Sequence, residues 1–164
     1  MIALLRGVLV EKHPNLIVLR TFSKAYGLAG LRVGYGAAHP SLVAWLDRIR
    51  MPFNVCLPSQ AAAEAALSDA AFVRRSVALV ERERARLFEA LFDSGLQVWP
   101  SSANFLMAAH HKLSGREVFE RLLRRGIIIR PLAEYGLDHH VRISVGSAEQ
   151  NGALLAALPK ALKR

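Results

Sequence analysis

Residues 16–36 read LIVLRTFSKAYGLAGLRVGYG, and no other stretch of the chain says as much about the fold. It opens with an uninterrupted apolar run, residues 16–19, which is typical of a strand covered on both faces, as in the parallel sheets of α/β proteins. Residues 31–37 predict a second strand, in which Gly34 and Gly36 permit close approach of a neighbouring backbone. We therefore expect an α/β fold with a polar loop between two strands.

The polar residues of this loop favour an anionic aldehyde as ligand. Thr21, Ser23 and Lys24 follow the first strand, at the sheet edge where open α/β folds bind ligands, and Arg32 comes eight positions after the lysine. An amine condenses with a carbonyl, while hydroxyls and a guanidinium hold a phosphate dianion. The same residues also fit a solvent-exposed lysine in a turn, or a Ser-Lys hydrolytic pair that lacks the Gly-x-Ser-x-Gly elbow. The residues alone leave these alternatives open.

The rest of the chain alternates helical and strand patterns. A long helix, predicted over residues 70–94 and stopped by Gly95, is of the kind that links two lobes. Pro159 is expected to end or kink the last helix. The C-terminal pattern predicts an α+β lobe with an antiparallel or mixed sheet, so we expect domains at residues 1–88 and 89–164. Further helices are predicted over residues 1–11, from Pro40, over 59–67 and after capping boxes at Ser114 and Ser147. Further strands are predicted over 96–99, 104–108, 127–129 and 141–145.

Charge and composition exclude several classes of protein. The chain has 22 Lys and Arg against 13 Asp and Glu, but the basic residues are scattered and accompany no nucleic-acid-binding motif, so we expect no nucleic-acid partner. A hydrophobic content of 52% excludes a disordered chain, and the single Cys56 excludes a disulfide scaffold. No apolar run is long enough to span a membrane and no signal peptide is recognisable, which predicts a cytoplasmic protein. The apolar excess predicts a surface that packs on a partner chain or on missing sequence.

Several motifs in order resemble one known family. The segment TFSKAYGLAGLRVGYG, residues 21–36, resembles the lysine-loop signature of fold-type I pyridoxal-phosphate aminotransferases, and within them it is most similar to histidinol-phosphate aminotransferases. The resemblance implies part of the large α/β domain, with a mostly parallel sheet, followed by the small α+β domain. It continues through PFNV at 52–55, SQAA at 59–62, SANF at 102–105, GIIIRP at 126–131 and VRISVG at 141–146.

The resemblance also implies roles for individual residues. Lys24 would form a Schiff base with the pyridoxal 5'-phosphate aldehyde and then carry the proton between the substrate and the cofactor. Ser23, Arg32 and, less directly, Thr21 would bind the cofactor phosphate. On the substrate side, the matching positions are Arg142, which would hold an acidic group through two N–H···O bonds, Asn104 and Arg130. No metal is expected, because the histidines have no third ligand at metal-binding spacing.

The implied activity belongs to a longer chain, because the motifs correspond to the C-terminal half of the family. The parent reaction would transfer an amino group between an amine or amino acid and a 2-oxo acid in amino-acid biosynthesis, in a homodimer. The residues that contact the cofactor ring lie in the other half, including an acidic partner for the ring nitrogen. Two alternatives stay open: a related pyridoxal-phosphate decarboxylase, and a catalytically inactive folding or interaction module.

Overall fold

A computed structural model describes residues 9–163 of the 164-residue chain. The chain divides into two compact units, Met1–Arg75 and Ser76–Arg164, and the division falls inside the long helix. The domain boundary expected after residue 88 stays a prediction. Of the helix predicted over residues 1–11, the structure describes only the last part, α1, Leu9–Lys12, and the remainder lies outside the described residues.

The described part of the N-terminal unit, Met1–Arg75, contains α1, a two-stranded antiparallel ribbon, two longer helices and the start of the long helix. Thr21 is the register partner of Gly34, and Leu19 is the partner of Gly36. A Cβ atom at Gly34 would lie 2.6 Å from the carbonyl oxygen of Arg20, so the predicted close approach of the backbones is confirmed. The elements are β1, Ile17–Thr21, β2, Gly34–Ala38, α2, Pro40–Ile49, and α3, Leu57–Ser68.

The exposure of β1 differs from the prediction. A strand covered on both faces was expected, but β1 is mostly exposed, and Leu19 is 65% exposed. A groove of about 980 Å³ runs along the β1–β2 ribbon beside α2 and α3. The mixed α/β class is confirmed. Within residues 9–163, however, every strand pairing is antiparallel, so the parallel sheet that the apolar run suggested is not found there.

The C-terminal unit, Ser76–Arg164, is an α+β layer structure. Its four-stranded sheet has the order β3 (Gln97–Trp99), β4 (Phe105–Ala109), β6 (Leu137–Ser144), β5 (Arg130–Leu132) and is antiparallel throughout, in agreement with the expected antiparallel or mixed sheet. Leucines of three helices and the inner residues of β4 and β6 form a closed core. The elements are α4, Ala70–Asp93, which begins in the N-terminal unit, β3, Gln97–Trp99, β4, Phe105–Ala109, α5, Gly115–Leu123, β5, Arg130–Leu132, β6, Leu137–Ser144, and α6, Ala148–Leu162.

Two helix starts that were predicted from capping boxes are confirmed, but one predicted strand is not. Both predicted capping boxes form, at Ser114 and at Ser147. The strand predicted over residues 127–129 is wrong, because β5 begins at Arg130. Gly126 has the left-handed conformation, and the amide of Ile127 donates to Leu122 O (3.0 Å). Gly126 and Ile127 therefore cap the C-terminal end of α5 instead of pairing with a strand.

Pro159 does not end the last helix, so the first of its two expected effects is wrong, and a kink at this residue stays a prediction. Helix α6 runs on to Leu162, because Leu158 and Ala161 on either side of the proline are buried in the core. The Arg121 guanidinium donates to the carbonyl oxygens of Ala161 (3.2 Å) and Lys163 (2.8 Å), which satisfies groups at the helix end. No helix within residues 9–163 is both long and apolar enough to cross a membrane.

Candidate functional site

Phe22 anchors the loop between β1 and β2. Its amide donates to Val33 O (3.2 Å), and its carbonyl oxygen accepts from the amide of Leu28 (3.0 Å), so the loop is closed on both sides of this residue. The Phe22 side chain is buried with Val33 and Ala63. The Tyr26 ring lies 4.8 Å from the Phe22 ring. The loop therefore has a defined path although much of it is exposed.

Lys24 presents a free amine at the start of this loop. Its side chain is exposed and makes no hydrogen bond or ion pair with any described residue. Its carbonyl oxygen accepts from the amide of Gly27 (2.8 Å), and Gly27 has a φ of +72°, which glycine adopts without steric cost. The amide of Ser23 donates to the Thr21 hydroxyl oxygen (3.0 Å), which fixes the turn that leads from β1 to the lysine.

Arg32 lies at the other end of the same loop, in an uncommon backbone conformation. Its φ of 51° and ψ of 45° place it in the left-handed region, where a non-glycine residue costs on the order of 1 kcal/mol. One guanidinium N–H donates to Ala29 O (2.9 Å), which leaves the other donors available to an anion. The Ser59 hydroxyl donates to Leu31 O (2.7 Å) and secures the preceding turn.

Three of the four residues predicted in the N-terminal unit, Ser23, Lys24 and Arg32, thus lie in one closed loop, and Thr21 ends the strand that leads into it. Ser23 directly follows Phe22 and Arg32 directly precedes Val33, so the hydrogen bond from the Phe22 amide to Val33 O joins the two ends of the segment that carries Ser23 and Arg32. Lys24 is the next residue along. An amine, hydroxyls and a guanidinium in one loop form a donor set that fits a phosphorylated aldehyde such as pyridoxal phosphate.

The C-terminal unit places two predicted arginines on one face of its sheet. Arg142 on β6 is the direct register partner of Arg130 on β5 and of Met107 on β4. Directly opposed residues of an antiparallel pair share a face, with Cβ atoms about 4.5–5.5 Å apart. Val141 and Ile143, on either side of Arg142, are buried in the core, so the arginines project from the opposite face.

The two arginines differ in their surroundings. The Arg142 guanidinium carbon lies 5.4 Å from the centre of the Phe105 ring, and it forms no ion pair among residues 9–163. The Arg130 guanidinium donates to the Glu134 carboxylate through two N–H groups, one of them Nε at 3.1 Å, and to the Tyr135 hydroxyl oxygen (3.1 Å). The hydrogen bond from Arg130 lowers the pKa of Glu134.

Asn104 belongs to a loop fixed by its backbone. The carbonyl oxygen of Asn104 accepts from the amide of Val145 (2.9 Å), which ties the loop to the end of β6. The Arg84 guanidinium donates to Ala103 O (2.9 Å), which ties the loop to α4. The Asn104 side chain is exposed. The sequence reasoning did not identify Glu134, Tyr135 or Arg84, although the spacing of four between Arg130 and Glu134 in RPLAEY was a visible signal.

Known proteins and one family model match nearly the whole length of this chain. The family model "Aminotransferase class I and II" matches residues 4–158. Histidinol-phosphate aminotransferase 2 of Ralstonia nicotianae is 53% identical over 93% of this chain and 41% of its own length. The histidinol-phosphate aminotransferase of an Anaeromyxobacter species is 50% identical over 93% of this chain and 42% of its own. The chain thus spans about two fifths of the length of these relatives.

Two solved structures extend the comparison to the fold. The histidinol-phosphate aminotransferase from Sinorhizobium meliloti, in complex with pyridoxal-5'-phosphate, has a TM-score of 0.83 and 38% identity, over 90% of this chain and 41% of its own. The L-threonine-O-3-phosphate decarboxylase from Porphyromonas gingivalis has a TM-score of 0.81 and 27% identity, over 94% of this chain and 49% of its own.

Proposed function

Since this chain belongs to the class I and II aminotransferase family, we propose that it supplies the lysine loop and the substrate-binding arginines of a histidinol-phosphate aminotransferase-like enzyme. The observation that carries the proposal is the Lys24 amine, which has no partner among residues 9–163, on a closed loop with Ser23 and Arg32. The proposal includes the parent reaction, amino transfer from an amine donor to a 2-oxo acid in amino-acid biosynthesis, and a cytoplasmic homodimer. Each of these belongs to the whole protein.

The residues of the lysine loop divide the work of holding the cofactor. Pyridoxal phosphate, when bound, supplies an aldehyde that accepts amino groups and a ring that withdraws electrons from the substrate. The Lys24 amine, once deprotonated, would be the nucleophile toward the aldehyde, and it would hold and move the proton at the substrate Cα. The Ser23 hydroxyl and the remaining N–H donors of Arg32 would hold the phosphate, with Thr21 fixing the turn before them.

On the substrate side, Arg142 supplies an uncommitted guanidinium. Its planar fork matches a carboxylate or phosphate oxygen pair, and the Phe105 ring beneath it restricts its orientation. Arg130 shares the same face of the sheet. The exposed Asn104 amide precedes the strand that pairs with β6, which makes it a candidate contact for the polar end of the substrate.

Reductive trapping tests the cofactor part of the proposal. The chain is mixed with pyridoxal phosphate and reduced with borohydride, and the modified lysines are located by peptide mass spectrometry. We expect modification mainly at Lys24, and its loss in Lys24→Ala but not in the matched exposed-lysine variant Lys112→Ala. Equal modification of Lys12, Lys24 and Lys112 would contradict the proposal.

A second arm of the test isolates the role of Arg32. Arg32→Gln should reduce trapping with pyridoxal phosphate, because the phosphate loses its guanidinium partner. The same substitution should leave trapping with pyridoxal, which has no phosphate, nearly unchanged. If both aldehydes respond equally, Arg32 acts on the fold of the loop rather than on the phosphate.

Decarboxylation is the second candidate reaction, and the likeness to the Porphyromonas gingivalis decarboxylase favours it. Its identity of 27% is lower than the 53% of the Ralstonia nicotianae aminotransferase. Mixing this chain with the complementary segment of a relative, and supplying either histidinol phosphate with 2-oxoglutarate or a phosphorylated amino acid, distinguishes the reactions by their products. Silence with both substrates, despite association of the two pieces, would favour the inactive module.

A further inference from the structure

One buried hydroxyl connects helix α3 to the lysine loop. Ser59 on α3 is 2% exposed, and its hydroxyl donates to Leu31 O (2.7 Å), 28 positions earlier in the chain. Burying a hydroxyl without a partner is costly, whereas a buried hydroxyl that is fully hydrogen-bonded helps to specify one conformation. The bond therefore fixes the direction of the Leu31 carbonyl near the end of the loop.

The surroundings of Ser59 leave its hydroxyl one arrangement. Ala63 follows Ser59 by one helical turn and is buried in the same cluster as Phe22, so this face of α3 packs under the loop. The hydroxyl has a single hydrogen, which it donates to Leu31 O. In its contact with the Cys56 thiol (3.1 Å), the Ser59 oxygen is therefore the acceptor.

The carbonyl that Ser59 holds belongs to the same peptide plane as the Arg32 amide. Fixing the Leu31 carbonyl thus also restricts the backbone of Arg32. Arg32 has a φ of 51° and a ψ of 45°, a conformation that a non-glycine residue keeps only where its surroundings stabilise it. Its guanidinium donates to Ala29 O (2.9 Å), so the side chain is tied to the turn Ala29–Leu31, whose last carbonyl accepts from Ser59.

We propose that Ser59 is a positioning residue for phosphate binding: through Leu31 it holds Arg32 in the left-handed conformation that presents the guanidinium to the cofactor phosphate. This inference rests on the proposed function, in which Arg32 is a phosphate ligand. Because Ser59 is buried, it acts through Arg32 and does not touch the phosphate itself. Without the hydroxyl, the Leu31 carbonyl loses its partner and the Leu31–Arg32 peptide can leave the left-handed conformation.

Reductive trapping with two aldehydes separates positioning from folding. In Ser59→Ala, trapping of pyridoxal phosphate at Lys24 should fall about three- to tenfold, the effect of one net hydrogen bond on a local equilibrium. Trapping of pyridoxal, which has no phosphate, should change by less than about twofold. Ser68→Ala is the matched control, because it makes the same substitution at an exposed position of the same helix, and it should alter neither yield. Alanine is the best helix former, so neither substitution weakens α3 itself.

A double variant shows whether Ser59 acts through Arg32. Arg32→Gln removes the guanidinium, so adding Ser59→Ala to it should lower the ratio of pyridoxal-phosphate trapping to pyridoxal trapping no further. A further fall of this ratio in the double variant would overturn the proposal. An unchanged ratio in Ser59→Ala alone, or a fall of the same size in Ser68→Ala, would overturn it as well.

Titration with inorganic phosphate keeps the role of Ser59 separate from the chemistry of Lys24. The Nε–H and backbone amide signals of Arg32 are followed by NMR in the full 164-residue chain and in the two serine variants. Phosphate should bind about three- to tenfold more weakly in Ser59→Ala than in the wild type or Ser68→Ala. This result without trapping at Lys24 would contradict the proposed function and support the role of Ser59. Equal phosphate affinity in the three proteins, or no response of Arg32 to phosphate in the wild type, would refute the role of Ser59 even if Lys24 is trapped.

Discussion

Gly34→Ala should weaken the strand pairing that supports the lysine loop. A Cβ at this position would lie 2.6 Å from Arg20 O, a backbone atom that cannot rotate away, whereas ordinary contact begins near 3.4 Å. The two strands would have to separate locally by about 0.8 Å, and overpacking of this kind costs about 1–3 kcal/mol. Because Gly34 pairs with Thr21, the disturbance falls at the end of β1 that leads to Lys24.

Amide hydrogen exchange measures this loss in the N-terminal unit alone. The amide of Phe22, which donates to Val33 O, should exchange faster in Gly34→Ala by about five- to 150-fold, which corresponds to the same 1–3 kcal/mol. Trapping of pyridoxal phosphate at Lys24 should fall in parallel. Amides in the core of the C-terminal unit should exchange as in the wild type.

Gly36→Ala on the same strand is the matched control. Its Cβ would meet the ends of flexible side chains, the nearest being a Leu19 methyl at 3.1 Å, and the exposed Leu19 can move aside. An alanine that fits also reduces the entropy of the unfolded chain, which stabilises by about 0.4–1 kcal/mol. If the two variants exchange alike, the close approach at Gly34 is not what holds this ribbon together.

Two further predictions concern the C-terminal unit. Leu122→Ala should lower its free energy of unfolding by about 2.7–5 kcal/mol, because Leu122 is 0% exposed in the core, while Leu123→Ala, at an exposed neighbour, should cost far less. Equal urea midpoints for these variants would contradict the core described above. The hydrogen bond from Asn151 (3.0 Å) lowers the pKa of the buried Glu83 below its usual 4.5. As the pH falls, Glu83 therefore binds a proton in the unfolded state before it does so in the folded state. The stability that the charged carboxylate contributes above about pH 4.5 is then lost as the pH falls through the lower pKa of the folded state. In Glu83→Gln the free energy of unfolding should therefore depend less on pH below about 4.5, and identical acid profiles would show that Glu83 does not contribute.

The helix starts were predictable because their signals are local. A capping box needs only four consecutive residues, and those at Ser114 and Ser147 form as expected. The error over residues 127–129 has the opposite cause. The three isoleucines satisfy the strand pattern, but the left-handed Gly126 lets the same backbone close the C-terminal end of α5 instead. Residue propensities do not show which of these two conformations is the more stable.

That error also hid the environment of Arg130. With the strand placed too early, Arg130 follows the sheet instead of lying in it, and its pairing with Arg142 is invisible. The pairing of Arg130 with Glu134 was missed as well, although their spacing of four was visible in the sequence. Lys24, by contrast, was identified correctly as part of a polar loop, because the strand, the lysine and the second strand are contiguous in sequence. Whether the loop binds pyridoxal phosphate stays a prediction.

The exposed apolar side chains are distributed unevenly between the two units. The C-terminal unit encloses a large core, whereas among residues 9–75 the described buried cluster comprises Phe22, Val33 and Ala63. Large apolar side chains of the N-terminal unit lie in solvent, among them Leu19, Ile49, Met51, Leu57 and Phe53, which is 98% exposed. Patches of this kind are unusual on a unit that functions alone.

The two units therefore differ in how firmly their own cores hold the predicted site residues. The sheet of the C-terminal unit can hold Arg130 and Arg142 in place from its own core, so anion binding at that face should survive in this chain. Among the described residues, the lysine loop rests on the small buried cluster around Phe22 and on the tight contact at Gly34, so its conformation is more sensitive to any loss of packing. A weak yield of trapped Lys24 that rises when the complementary segment of a relative is added would place the missing stabilisation in the N-terminal unit rather than in the chemistry of the lysine.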